Sequence, residues 1–337
     1  MADLRSVFNK DVTMSFQVDT PLQQAKFYES GAFVTDPRLN VLLNSGTQAF
    51  DIPNIKALDT NLESNYGNTV FTDIAMPRKI DGYKSKGRAA YINEGFLESS
   101  LESYLIGTSP NQAIAGMLDN YWANQLDNRA IATLFGLRAL DSTDKDLTLD
   151  ISLGTATAAS KFSVDAFIDV EATMADMYQG NGVMVVHPQI AASMRKQQLV
   201  EYVTTSANLT PVEMYNGRRI VTSNKGTKIG TTANAKFVSY LMSAGAFATA
   251  MSRGRDDLEI ERTASTGNGA GHNALWTRAN TLIHPQGFSF IADESTLTGG
   301  TSNEAISASW ADLQKGENWR MDADVDNIGI RFLITNV

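Results

Sequence analysis

The sequence predicts an α+β fold in which one rod-like helix sits between sheet-forming segments, and three observations carry that reading. Between residues 109 and 136, Ile114, Leu118, Trp122, Leu126, Ala130 and Leu134 recur at every fourth position, and Met117 and Tyr121 widen the stripe. That spacing is the mark of one apolar helix face. Residues 146–252 alternate helix-like and strand-like segments, as an α/β unit around a central sheet does. Residues 61–92 alternate apolar and polar positions on either side of a basic, glycine-containing stretch, which is a hairpin pattern.

Taken in order, residues 1–55 lack a sustained period and are interrupted by Pro37 and Pro53. They are expected to form an extended N-terminal arm with a short helix around 22–28, packed on something other than a core of their own. A hairpin is expected over 56–93. Val70, Ile74, Met76 and Ile80 share one face of the outgoing arm, Ala90 and Ile92 lie on the return, and Lys79, Lys84, Lys86 and Arg88 gather at the tip. A long polar hairpin is poorly stable alone and needs a partner surface, so these four basic residues are the candidates for contacts between subunits. Residues 94–145 hold the long helix. Ser109 is placed to cap it, Pro110 suits its first turn, and Gly136 marks its end. At the helical rise it is a rod of roughly 40 Å.

Within 146–252, Ser163 is expected to cap a helix bearing Val164, Phe167, Ile168, Met174 and Met177, stopped by Gly180. Val183, Met184, Val185 and Val186 form an apolar run that reads as a buried strand, and His187-Pro188 ends it before a helix through Ile190, Met194 and Leu199. Asn216-Gly217 is a hairpin turn, and a strand is expected over 237–242. In 253–295 two strands, 258–262 and 274–283, flank a glycine-rich loop at 267–271. In 296–337 a short helix near Trp310 and Leu313 precedes a final strand at 328–334.

Composition narrows the function. The chain has 337 residues, 43% hydrophobic and 19% charged, which describes a folded protein. It has no cysteine, so no disulfide or thiolate metal site is available. No run approaches the roughly 20 apolar residues of a membrane span. A formal charge of −9 disfavours a protein whose main work is gripping phosphates. The three histidines, His187, His272 and His284, have no metal-ligand spacing, and two of them precede proline as strand-ending turns. The 267–271 loop leads into a strand rather than a helix, unlike a phosphate loop. No serine sits in a nucleophile elbow. Asp256-Asp257 reads as a loop, and Glu259 and Glu261 as the solvated face of one strand. No catalytic, cofactor or metal residues are expected.

The collinear stretches G-A-F-V-T-D-P-R-L-N-V-L-L-N-S-G and D-I-P within 31–53, L-I-G-T-S-P-N-Q-A-I-A-G-M-L-D-N-Y-W-A-N-Q-L-D at 105–127, V-M-V-V-H-P-Q-I at 183–190, S-Y-L-M-S-A-G-A-F at 239–247, T-L-I-H-P-Q-G-F at 281–288 and N-I-G-I-R-F-L-I-T-N at 327–336 together resemble the major capsid proteins of tailed bacteriophages. The resemblance covers essentially the whole chain. It implies the Hong Kong 97-type fold: an N-terminal arm, an extended hairpin (the E-loop), a peripheral domain with a long spine helix, and an axial α/β domain. It implies a non-enzymatic shell subunit that assembles as pentamers and hexamers around double-stranded DNA. The expected partners are scaffolding and portal proteins and decoration proteins, with no cofactor and no membrane. The expected location is the virion, after assembly in the host cytoplasm. A same-fold alternative is an encapsulin-like compartment, and one from another class is an α/β enzyme with dispersed site residues.

Overall fold

In the computed structural model the described residues are 25–56, 58, 62–101, 117–142, 145–205, 208–230, 235–252, 257–300 and 307–337. The chain runs through β1 (Phe33–Thr35), α1 (Pro37–Asn44), β2 (Ala49–Ile55), β3 (Gly82–Arg88), β4 (Ala90–Ser99) and the long helix α2 (Leu118–Leu140). Next come β5 (Thr148–Asp150), α3 (Val164–Ala172), β6 (Val183–Val186), α4 (Pro188–Lys196), β7 (Glu201–Thr205), β8 (Asn208–Tyr215), β9 (Arg218–Thr222) and β10 (Lys228–Ile229). The last part holds β11 (Lys236–Met242), β12 (Phe247–Ser252), β13 (Leu258–Thr263), β14 (His272–Pro285), β15 (Phe288–Phe290), α5 (Trp310–Gln314), β16 (Trp319–Met321) and β17 (Ile330–Thr335).

Two sheets carry most of these strands. In the eight-stranded sheet the order is β5-β17-β11-β6-β9-β8-β7, with β10 paired to β11. Its centre is covered on both faces, so β6 and β17 are buried at every position. Side chains alternate between the two faces. Val183, Val185, Val238, Tyr240, Phe332 and Ile334 join a core with Leu134 and Leu137 of α2, while Met184, Val186, Phe237, Leu241 and Leu333 join a core with Phe167, Ile190 and Met194 of α3 and α4. In the five-stranded sheet, the 14-residue β14 pairs with β4 over His272–Thr281 on one side, and on the other with β13 over His272–Thr277 and then β12 over Asn280–Pro285, while β1 adds in parallel to β12.

Several local expectations hold for a stated reason. Asn216 and Gly217 both adopt positive φ, 46° and 76°, as a two-residue turn between β8 and β9 requires. The Ser163 hydroxyl accepts the Ala166 N–H at 3.2 Å and caps α3. His187 stands at the N-cap of α4 with Pro188 in its first turn.

Others are corrected. Residues 1–24 lie outside the described residues, as do Ser109, Pro110 and Ile114, so the cap expected for the long helix falls there. From Ala25 on, the chain is no free arm: Phe27 and Ala32 are fully buried, and Phe33 stacks on Phe247 at 4.6 Å. The turn at Tyr28–Ser30 is a 3-10 helix, and α1 was missed because Pro37 reads as a breaker. It is a starter here, with the Asp36 carboxylate capping the Arg38 N–H at 2.9 Å.

Gly136 does not stop α2, which continues to Leu140. A Cβ there would lie 2.0 Å from the Leu313 carbonyl oxygen and 2.5 Å from Trp319 Nε1, so glycine serves close packing of α5 and β16 on α2. Helix α3 ends at Ala172, well before Gly180, and Met177 is exposed. The final strand, expected over 328–334, is present as β17. It lies in the middle of the eight-stranded sheet, antiparallel to β11 and parallel to β5.

Candidate functional site

The hairpin exists, but its arms are displaced from the expected ones. β2 pairs antiparallel with β3, from Ala49↔Arg88 to Ile55↔Gly82, and residues 56–81 form the excursion between them. The return strand expected to hold Ala90 and Ile92 is β4, which pairs instead with β14. The alternation over 70–80 therefore belongs to no strand.

Every residue of 62–80 is exposed. Among them are Leu62, Tyr66, Val70, Phe71, Ile74, Met76 and Ile80, with Ile55 and Leu58 just before. Each large apolar side chain forgoes about 1.5–3 kcal/mol by remaining in water, and a concentration of them marks an interaction surface. The excursion keeps local order of its own. The Arg78 guanidinium donates to the Leu62 and Glu63 carbonyls, Asn68 donates to Asp73 at 2.7 Å, and Tyr66 donates to Glu63 at 2.6 Å.

Its base is tied down. The Lys86 N–H donates to Ser289 Oγ at 2.8 Å, Arg88 pairs with Glu294 at 3.3 Å, and Asn54 donates to the buried Ser85 hydroxyl at 2.9 Å. Gly87 packs under the Phe50 ring, where a Cβ would come within 2.2 Å. The sequence-selected cations are thus not gathered at a tip. Lys79 lies in the excursion, 3.4 Å from Asp81. Lys84 and Lys86 project from one face of β3, with Lys84 3.9 Å from Asp51. The Arg88 side chain is buried at the base.

Sequence reasoning passed over two charged residues next to the apolar stripe of α2. Asp127 is fully buried and accepts the Phe27 and Tyr28 N–H groups at 2.8 and 3.1 Å, with Lys225 Nζ at 3.8 Å, so it anchors the chain's entry to α2. Arg129 is its buried neighbour. The only sequence signal was a charge adjoining a buried face.

Chemically active groups do not converge. His187 caps α4 and packs on Phe237 at 4.7 Å, and His272 bonds Thr266 at 2.7 Å beside the 267–271 loop. Glu259 pairs with Arg278 at 2.9 Å and Glu261 accepts from Trp276 at 3.0 Å, so both act as cross-strand partners. Among the described residues no three His, Asp or Glu side chains group as a metal site, and no helix is long and apolar enough to cross a membrane.

His284 is buried in β14 against Phe50, and burial pushes its pKa down from 6.5 to about 4, with Asp322 opposing weakly. A depressed folded pKa means the unfolded imidazole takes a proton first. The associated stability is complete above about pH 6.5 and is lost as pH falls toward 4, by about 3 kcal/mol in all. Melting temperature measured between pH 4 and 7 is expected to fall on the acid side. His284→Gln is expected to flatten that slope, and an unchanged slope would refute the assignment.

A long helix between two sheets, with an anchored hairpin projecting an apolar excursion, defines a protein of the Hong Kong 97-type capsid fold. Solved structures agree. The cyanophage Pam1 capsid matches with a TM-score of 0.58 at 10% identity, covering 100% of this chain and 99% of that one. The Ralstonia phage GP4 capsid matches with a TM-score of 0.58 at 10% identity, covering 96% and 94%. No protein-family profile matches the chain. By sequence it is 28% identical over 325 residues to the major capsid protein of Bacillus phage SPP1, covering 94% of this chain and 92% of that protein. In sequence and in fold the chain is similar to the major capsid proteins of tailed bacteriophages. That sequence relative is a phage capsid protein, which disfavours the compartment-shell alternative.

Proposed function

We propose that the chain assembles as pentamers and hexamers into an icosahedral head shell around a double-stranded DNA genome, and that it catalyses nothing. Its place is the virion, after assembly in the host cytoplasm with a scaffolding protein and a portal. The observation that carries this reading is the 56–81 excursion, whose apolar side chains find no cover in their own subunit while its base is fastened by Ser289 and Glu294. A closed shell of identical chains supplies the cover by symmetry. Lys79, Lys84 and Lys86 are the charges that meet carboxylates of a neighbouring copy. Arg88 has its side chain buried against Glu294 of its own subunit, whereas Lys79 and Lys84 stay exposed, and it is set apart from them.

The test reverses the three exposed charges together, Lys79→Glu, Lys84→Glu and Lys86→Glu, and leaves Arg88 in place. Exposed pairs are worth about 0–1 kcal/mol each, so circular dichroism and capsomer sedimentation are expected to stay normal. Each contact recurs in every subunit, so closed shells in negative-stain micrographs are expected to become scarce, most of all at low salt. Normal shells from the triple variant would remove these lysines from the interface. A chain that forms only monomers under every assembly condition, scaffold included, would overturn the shell reading itself.

A further inference from the structure

The chain contains three Asn-Gly pairs: Asn181-Gly182, Asn216-Gly217 and Asn268-Gly269. Such a pair is disposed to react with itself, because the glycine has no Cβ to keep its backbone nitrogen away from the asparagine side chain. The local chemistry of the three pairs is alike, so their surroundings decide which of them reacts.

Two of the pairs are clamped. A Cβ on Gly182 would lie 2.1 Å from the Met242 carbonyl oxygen, and the Gly182 carbonyl accepts the Arg219 N–H at 3.1 Å. A Cβ on Gly217 would lie 2.4 Å from the Gly180 carbonyl oxygen. The Asn216 side-chain amide, the group that would have to leave, donates to Glu171. The third pair is open. Residues 264–269 are exposed, and a Cβ on Gly269 would meet nothing within 4 Å. Among the described residues neither the Asn268 side chain nor the Gly269 N–H has a hydrogen-bond partner. Asn268 holds a left-handed φ of 57° between Gly267 at 65° and Gly269 at 88°. That region is the less favoured one for a residue with a Cβ, and the flanking glycines turn at little cost, so Asn268 is free to rotate until the reacting atoms meet.

We propose that Asn268 is a self-modification site, converting to aspartate and isoaspartate in the folded subunit while Asn181 and Asn216 persist. The Gly269 backbone nitrogen attacks Asn268 Cγ and gives up its proton to a solvent base. A C–N bond forms, the Cγ–Nδ2 bond breaks, and the side-chain nitrogen leaves as ammonia, so a cyclic imide remains. Water then opens the ring at either carbonyl, giving aspartate or a backbone rerouted through the side chain. Either product sets a new carboxylate on the loop of a chain whose formal charge is already −9. The loop is closed beneath Asn268 by the Gly271 N–H donating to the Thr266 carbonyl at 3.0 Å and by His272 Nδ1 bonded to Thr266 Oγ1 at 2.7 Å. The change therefore stops short of β13 and β14, and the fold survives it.

The experiment incubates the full chain, unassembled, in mildly alkaline buffer and follows the three Asn-Gly peptides by mass spectrometry after digestion. In the native chain Asn268 is expected to convert roughly tenfold faster than Asn181 or Asn216, the scale set by freeing a residue from a single backbone well. In guanidinium the three are expected to convert at similar rates, which assigns the difference to the fold. Asn268→Gln is expected to remove the acidic species that appears on isoelectric focusing and to melt as the wild type does. Equal native rates at the three pairs, or an Asn268 that outlasts either of the others, overturns the proposal. So does a preference for Asn268 that persists unchanged in guanidinium.

Discussion

Trp122→Ala is expected to lower subunit stability by about 3–5 kcal/mol, the cost of deleting a large buried aromatic ring. Trp122 is 3% exposed and sits midway along the apolar stripe of α2. Its indole N–H donates to the Thr277 hydroxyl at 3.0 Å, and its ring meets Tyr121 edge-on at 5.3 Å. The ring therefore joins the long helix to β14, the strand on which the five-stranded sheet is built. Trp122→Phe keeps most of the buried area but strands the Thr277 hydroxyl, and about 1–2 kcal/mol is expected for it. Denaturant melts of isolated capsomers measure both. Wild-type stability for Trp122→Ala would show that the helix is held to β14 by other contacts.

Glu171→Ala is expected to cost about 3–5 kcal/mol, because it leaves a buried cation without its counter-charge. Arg218 is fully buried in the eight-stranded sheet, and its Nε lies 3.0 Å from Glu171 Oε1. The same carboxylate accepts the Gly180 N–H at 2.8 Å and the Asn216 side-chain amide. One side chain thus fastens the Asn216-Gly217 turn and the approach to β6 onto α3. Replacing the pair with apolar residues, as in the Glu171→Met, Arg218→Met double variant, is expected to recover much of the loss, since the isolated charge is what costs most. Unfolding curves of the single and double variants decide the matter. A loss in Glu171→Ala below about 1 kcal/mol would mean that Arg218 finds a substitute partner.

The same pair shows where sequence reading stops. The turn at Asn216-Gly217 was legible because two positive φ values need these residue types. Nothing nearby announced that Glu171, in a helix some 45 positions earlier, would close on it. Arg88 is a second instance. Beside Lys84 and Lys86 it looked like one of a basic cluster, yet it is buried against Glu294. Strand period alone puts all three on one face, and only the packing of β15 and the residues after it separates the exposed lysines from the buried arginine. Asp127 and Arg129 were hidden for the complementary reason: the helical period marks a face, and charges at its margin read as solvent-facing by default.

By itself the sequence determined the α+β class, the long amphipathic helix, the buried run at Val183–Val186 and its end at His187-Pro188, the cap at Ser163, and the tight turn at Asn216-Gly217. Each of these rests on spacing or backbone preference acting within one or two turns of chain. Tertiary structure alone decided that β2 closes on β3 across the whole excursion, that β17 enters the sheet between β11 and β5, and that α2 runs past Gly136. Strand partners are chosen by which distant surfaces bury one another, and a glycine's role by what presses against it. Neither quantity exists in a local window of sequence.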